Sequence, residues 1–262
     1  MIHPTAIVDK SAQIDKSVDI GPYAIIGKNV SIGKNTTIGP YTFIQYCQIG
    51  ENNKISNHVA LGNDAQDTKF KGGSNNCIIG NNNAIREFVT IHRGSINEST
   101  KVGSNCFLMA YSHVGHDSIL EDNIYMANCA SLGGHVLVEF GAILGALAAA
   151  HQFVRIGRLA MLGGGAMITQ DILPYMLANG DRAKLYGLNK VGLRRHGITP
   201  QAIKNIKKVY WQLFESKTMF TEALKIVEKM QEEENMGEEV THLINFVKTS
   251  KRGFCRTALT KI

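Results

Sequence analysis

A large aliphatic residue returns at every sixth position through much of the first two thirds of the chain. Ile2, Val8, Ile14, Ile20, Ile26, Ile32, Ile38 and Ile44 keep the step without a break, and Ile49, Ile55, Leu61, Ile79, Ile85 and Ile91 resume it one residue early. The longest run is Val102, Leu108, Val114, Leu120, Met126, Leu132, Val138, Leu144, Ala150, Ile156, Leu162 and Ile168, in which only Ala150 is small. Two positions earlier stand small or β-branched residues (Ala6, Ala12, Val18, Ala24, Val30, Thr36, Thr42), and Gly21, Gly27, Gly33 and Gly39 follow directly. A six-residue step fits neither the 3.6-residue helix nor an ordinary alternating strand. Each hexad therefore predicts one short strand and a tight turn. Such a unit cannot bury its own apolar side, so hexads must stack into a solenoid whose core runs along its axis. A mainly β fold, a parallel β-helix, is predicted; the periodicity carries no handedness.

The hexads stop near Pro174 and a helical period replaces them. Thr199-Pro200 reads as an N-cap followed by proline in the first turn. Ile203, Ile206, Val209, Tyr210, Leu213 and Phe214 then line one helix face, with Lys204, Lys207 and Lys208 mostly off it. Two more helices are predicted, one around Leu224, Val227 and Met230 and one around Val240, Leu243, Ile244 and Val247. The chain thus divides into a β-helix, 1–183, and a C-terminal α-helical domain, 184–262. The helices are expected to close the end of the solenoid and shield its open edge.

Composition narrows the functional classes. The 262 residues are 7% aromatic, as suits a narrow prism filled by Ile, Val and Ala. Five cysteines without a CxxC pair argue for reduced thiols and a cytoplasmic setting. No signal-peptide core and no run near the roughly 18 apolar residues of a membrane span is present, so a soluble chain with no transmembrane segment is expected. The net charge of +6 gathers after residue 180, at Arg182, Lys184, Lys190, Arg194, Arg195, Lys204, Lys207 and Lys208. Tyr186 alone among Phe, Trp and Tyr interleaves there, too little to stack bases, which disfavours nucleic acid as a partner.

Candidate chemistry gathers at histidines. His113 and His116 lie in Tyr-Ser-His-Val-Gly-His-Asp, His135 in Leu-Gly-Gly-His-Val and His151 in Ala-Ala-Ala-His-Gln-Phe. If three hexads make one coil, His116, His135 and His151 fall on one outward edge, spaced by the distance of about 4.8 Å between neighbouring strands. An imidazole with a pKa near 6.5 can act as a general base at neutral pH, and a carboxylate beside it fixes its tautomer. His116-Asp117 offers such a pair if a turn lets two adjacent side chains meet. Gly133-Gly134, one coil on, could present a backbone N–H to an oxyanion.

With these residues the chain resembles the bacterial UDP-N-acetylglucosamine O-acyltransferases that open lipid A biosynthesis. The resemblance rests on Gln66-Asp67-Thr68-Lys69-Phe70, Ile85-Arg86-Glu87, Thr90-Ile91-His92-Arg93-Gly94, the segment from His113 to Asp117, His151-Gln152-Phe153, and Gly187-Leu188-Asn189 leading to Arg194-Arg195. It implies a left-handed coil, a cytoplasmic homotrimer, and transfer of a 3-hydroxyacyl chain from acyl carrier protein to the sugar nucleotide. His116 then matches the general base, Asp117 its support and Gly134 the oxyanion donor. Asp67, Lys69, His113, His135, His151 and Gln152 match substrate contacts, Gly164 the acyl-length ruler, and Asn189 and Arg195 nucleotide contacts. The basic tail would meet the acidic carrier protein. No metal or cofactor is implied. Two departures stand out: Val191 where some members carry glutamate, and Asn63-Asp64-Ala65 where a proline is usual.

Other readings stay open. A γ-class carbonic anhydrase-like enzyme would place zinc among His92, His116, His135 and His151. A non-catalytic scaffold would turn nothing over. A sister acyltransferase would use a 3-amino sugar nucleotide, and a coenzyme A-dependent acetyltransferase another acceptor.

Overall fold

The computed structural model describes residues 1–96 and 99–257. Strands Ile7–Val8, Gln13–Ile14 and Asp19–Ile20 open three separate sheets, and each later coil adds one strand to each. The result is a triangular prism with sheets of 9, 8 and 10 strands among the described residues, here called faces 1, 2 and 3 in the order the chain first visits them. Pairing between coils is parallel except at the end of face 3.

The sixth-position aliphatics point inward and stack in columns. On face 1 Ile26 pairs with Ile44, Ile44 with Leu61, Leu61 with Ile91, Ile91 with Val114, Val114 with Leu132, Leu132 with Ala150 and Ala150 with Ile168. All are buried. Burying each Val, Leu or Ile side chain contributes roughly 1.5–3 kcal/mol, so the columns are what hold short strands together. The polar side of the 2–3 corner also closes on itself: buried Asn53 donates to the Gly80 carbonyl and accepts from the Asn83 N–H, while Asn83 donates to Gly103 and accepts from the Cys106 N–H.

Each corner turns through a residue of positive φ, and each corner has its own side chains. The 2–3 corner uses Asn35, Asn52, Asn82, Asn105 and Asn123, the residue type besides glycine that tolerates this conformation best. The 3–1 corner uses Tyr23, Tyr41, His58, Phe88 and Tyr111. Their rings stack face to face with centroids 5.2, 5.1, 5.0 and 4.8 Å apart in succession. The 1–2 corner uses Asn29, Tyr46, Asp117, His135 and Phe153.

Register is strict at two corners and loose at the third. Core residues step by six from face 2 to face 3 and from face 3 to face 1. Between faces 1 and 2 the step changes, from Ile44 to Ile49, from Leu61 to Ile79 and from Ile91 to Val102. The longer insertion leaves the sheet through Gly62, whose φ is +72° and whose missing Cβ would otherwise collide with the Gln45 carbonyl. Its base is held by Arg93, which is 4% exposed. That guanidinium pairs with Asp64 at 2.8 Å, donates to the Gly73 carbonyl at 2.8 Å and lies 3.9 Å from the Tyr46 ring centroid. The Asn63-Asp64-Ala65 segment is thus anchored without a proline.

At the far end Met176–Asn179 pairs antiparallel with Lys184–Leu188, ending face 3. Among the described residues four helices follow: α1 (Lys190–Arg195), α2 (Pro200–Phe214), α3 (Phe220–Glu234) and α4 (Glu238–Thr249). Thr199 caps α2 as its sequence suggests, accepting from the Ala202 N–H at 3.1 Å; α1 has no apolar period that sequence could reveal. The bundle is pinned to the prism by Arg155, which pairs with buried Asp171 at 3.1 Å and lies 4.0 Å over the Phe246 ring, and by His242 with Glu139 at 2.8 Å.

Candidate active site

The histidine cluster sits on the 1–2 corner, where Asp117 has φ +60°. That left-handed turn lets two adjacent side chains meet, which a straight strand forbids. His116 Nδ1 lies 2.7 Å from Asp117 Oδ2. An acceptor carboxylate requires that Nδ1 carry the proton, so Nε2 keeps its lone pair. Asp117, 3% exposed, is fixed from the other side by the inserted segment between faces 1 and 2. The Ser95 N–H reaches its two oxygens at 3.0 and 3.1 Å and the Ile96 N–H reaches Oδ2 at 3.4 Å, while Asp117's own N–H donates to Thr100 Oγ1 at 2.8 Å.

One coil on, Gly134 occupies the place of His116. A Cβ there would lie 2.6 Å from both Cε1 and Nε2 of the His116 ring, so glycine is what lets the ring sit against the backbone. Among the described residues no hydrogen bond is made by the Gly134 N–H, whereas its carbonyl accepts from Phe153 at 3.0 Å. An imidazole nitrogen with a free lone pair and an N–H without an acceptor among the described residues therefore share one spot, which is chemically compatible with acyl transfer.

The expected stack of three imidazoles is corrected in its register. His135 follows Asp117, not His116, in the column, and Phe153 follows His135. The His135 ring stacks on Phe153 at 4.5 Å and meets His116 edge-on at 5.2 Å, while its Nε2 is 3.5 Å from Asp117 Oδ2. The cause is that the spacings in sequence are not multiples of eighteen. His151 lies one place earlier, on the cleft wall.

That cleft, of about 370 Å³, is lined by Gln66, His92, His113, His116, Gly134, His151 and Gln152, among others. His113 Nδ1 is 2.7 Å from Thr90 Oγ1, and burial first, then the nearby His92 and His116, pushes its pKa down to about 4. Burial likewise lowers that of His92, whose Nδ1 lies 2.6 Å from the Asp64 carbonyl oxygen and donates to it. Both are neutral at physiological pH. Asp67 reaches the corner through Ser95, whose hydroxyl donates to it at 2.8 Å, and Lys69 contributes its N–H to the same carboxylate at 2.9 Å while its side chain stays exposed. Those two donors hold the Asp67 carboxyl below the usual range.

His116, Asp117 and His135 also place one ligand atom each within 4.8 Å of one another, which is close enough to share an ion. One nitrogen of each histidine lies beside Asp117 Oδ2, at 2.7 Å for His116 and 3.5 Å for His135.

Known proteins match this chain along nearly its whole length. The acyl-[acyl-carrier-protein]--UDP-N-acetylglucosamine O-acyltransferase of Burkholderia orbicola is 41% identical over 97% of this chain and 99% of its own, and that of Myxococcus xanthus is 42% identical over 97% and 99%. The chain belongs to the UDP-N-acetylglucosamine O-acyltransferase family. The family model described as domain 2 of that acyltransferase matches residues 171–255, and one described as the GMPPB C-terminal domain matches 1–96. Among solved structures, the UDP-N-acetylglucosamine acyltransferase of Francisella novicida superposes with a TM-score of 0.94 at 37% identity, covering 99% of this chain and 95% of that one. The Arabidopsis enzyme does so with 0.84 at 35%, covering 98% and 100%. The shared architecture is the left-handed parallel β-helix followed by a helical C-terminal part.

Three residues that the family resemblance groups with the acyltransferase site stand apart from it in the single chain. Gly164 lies on the 3–1 corner, beside the Ala146 carbonyl. Asn189 and Arg195 line a separate cleft of about 710 Å³ between face 3 and α1, together with Tyr125, Ile143, Met161, Leu177, Val191 and His196. Asn189 is also the N-cap of α1, accepting from Gly192 at 3.0 Å and donating to the Leu159 carbonyl at 2.9 Å. Face 3 is opposite the 1–2 corner of a triangular prism, so one chain cannot bring these residues to His116. Sequence reasoning missed Ser95 and Thr100, and quoted Thr90 and Arg93 only within a motif; single serines and threonines carry no periodic signal.

Proposed function

We propose that this acyltransferase moves a 3-hydroxyacyl chain from acyl carrier protein to the 3-hydroxyl of UDP-N-acetylglucosamine, the first step of lipid A biosynthesis, with His116 as general base. The observation that carries the reading is the His116–Asp117 bond of 2.7 Å with Gly134 against the free edge of the ring. In this reading His116 Nε2 takes the proton of the sugar hydroxyl as its oxygen attacks the thioester carbon. The Gly134 N–H receives the oxyanion, and collapse of the tetrahedral intermediate breaks the C–S bond. The thiolate leaves with the proton that His116 held. Asp117 keeps the imidazole in the required tautomer and stabilises its charged form. Asp67, Lys69, His113, His135, His151 and Gln152 would then hold the sugar and acyl groups around the cleft.

Asn189 and Arg195 as nucleotide contacts require a second copy, since face 3 lies across the prism from His116, and Gly164 as acyl ruler stands on the 3–1 corner, off the edge that carries His116. A homotrimer supplies that copy. Arg194, Arg195, Lys204, Lys207 and Lys208 form the docking surface for the acidic carrier protein, although Lys208 already pairs with Glu234 at 2.9 Å.

The test is transfer from 3-hydroxyacyl carrier proteins of graded length to UDP-N-acetylglucosamine, run beside the 3-amino sugar nucleotide, with His116→Ala and chelator controls. Transfer to the hydroxyl sugar, lost in the variant and indifferent to chelator, supports the reading. Transfer to the amine alone changes the acceptor, and loss with chelator restores the zinc alternative.

A further inference from the structure

Two carboxylates face the candidate site, and one residue touches both. Ser95 lies half-buried in the insertion between faces 1 and 2. Its N–H lies 3.0 and 3.1 Å from the two oxygens of Asp117, the residue that orients His116. Its hydroxyl lies 2.8 Å from Oδ2 of Asp67, on the loop that leaves face 1 through Gly62. The Lys69 N–H satisfies the other oxygen of Asp67 at 2.9 Å. Each Asp67 oxygen thus has one donor from the chain and keeps acceptor capacity for a ligand hydroxyl, in an orientation fixed by two bonds.

Resting on the function proposed above, we infer that Ser95 is a positioning residue that ties the substrate loop to the His116–Asp117 pair, so that sugar and base are held at one distance. The two contacts are chemically separable. The main-chain N–H serves the base and survives any side-chain change. The hydroxyl serves the loop alone. A loop that carries a binding residue gains precision when its tip is fastened to the rigid scaffold, because misplacement of a reacting group by an ångström is costly.

The experiment compares Ser95→Ala and Ser95→Thr with the full-length protein, measuring kcat and KM for UDP-N-acetylglucosamine with an acyl carrier protein donor across pH. Ser95→Ala removes the loop bond and should raise KM by about tenfold, the size of one lost bond to a carboxylate. It should leave kcat within about threefold and its acid limb in place, because Asp117 keeps its main-chain donor. Ser95→Thr retains the hydroxyl and should restore KM. Hydrogen exchange at the Lys69 amide, which needs no substrate, should quicken in the alanine variant and not in the threonine one. Unchanged KM with unchanged exchange overturns the tether, as does a fall in kcat with a displaced acid limb, which would place the hydroxyl's effect on the dyad. A wild-type protein that transfers nothing refutes the acyltransfer reading instead, and the exchange measurement then decides the tether alone.

Discussion

At the 3–1 and 1–2 corners the backbone turns in the same left-handed conformation, yet one edge carries stacked rings and the other a charged cluster. Tyr23, Tyr41, His58, Phe88 and Tyr111 satisfy one another, since each ring needs only the next to cover its face. Asp117, His116 and His135 cannot be satisfied that way. A buried carboxylate needs several donors, and this six-residue turn supplies Asp117 with the His116 Nδ1–H but not with the remaining ones. Those come from an insertion, Ser95 and Ile96, that only the 1–2 corner admits. The same fold therefore yields an inert edge where register is kept and a reactive one where it is broken.

Substitutions on the two edges should separate sharply. His116→Ala should lower kcat by on the order of 10³, the range for a lost general base. Its melting temperature should stay close to wild type; a variant that unfolds in proportion to its loss of activity would remove the case for chemistry. Gly134→Ala sets a methyl 2.6 Å from the His116 ring, so kcat should fall on the order of 10² as the base is displaced, with little change in the melting curve. Retained activity would mean that the ring and backbone do not act together.

Acid should test the same edge through stability. His113 is held near a pKa of about 4 against its ordinary 6.5, so protonation favours the unfolded chain. Its contribution is intact above pH 6.5 and is lost as pH falls toward 4, worth on the order of 2 kcal/mol. Denaturant titrations at pH 7 and pH 5 should show the slope, and His113→Gln should flatten it; an identical slope in the variant assigns the effect elsewhere. On the aromatic edge, Tyr41→Asn keeps a residue that accepts the turn but removes two ring contacts. It should cost about 1 kcal/mol of stability and leave kcat untouched. A change in kcat there would erase the contrast.

The prism was plain in the chain because Ile, Val and Leu must face one axis, and the start of α2 was plain in Thr199-Pro200. The His116–Asp117 pair was visible as a possibility that depended on a turn, and Asp117's positive φ supplies it. What could not be read was contact across insertions. Ser95 meets Asp117 only because an irregular segment folds back over the next coil, and no period announces that. The spacing of His135 and His151 from His116, in contrast, already sets each off His116's column, since neither is a multiple of eighteen. The distance between Asn189 and His116 is a property of which face each occupies. Yet the register breaks after Ile44, Leu61 and Ile91 all fall on a single corner, and counting them along the sequence would have pointed to that edge before any histidine was weighed.

The same count bears on how such a chain can change. At the 2–3 and 3–1 corners a single added or deleted residue turns every following aliphatic out of the core, so those edges are frozen in length. Every change of step among the described strands falls along the 1–2 edge, where Gly62 lets the chain leave the sheet. Insertions on this scaffold thus arrive beside the candidate reacting groups, while the other two corners keep their step.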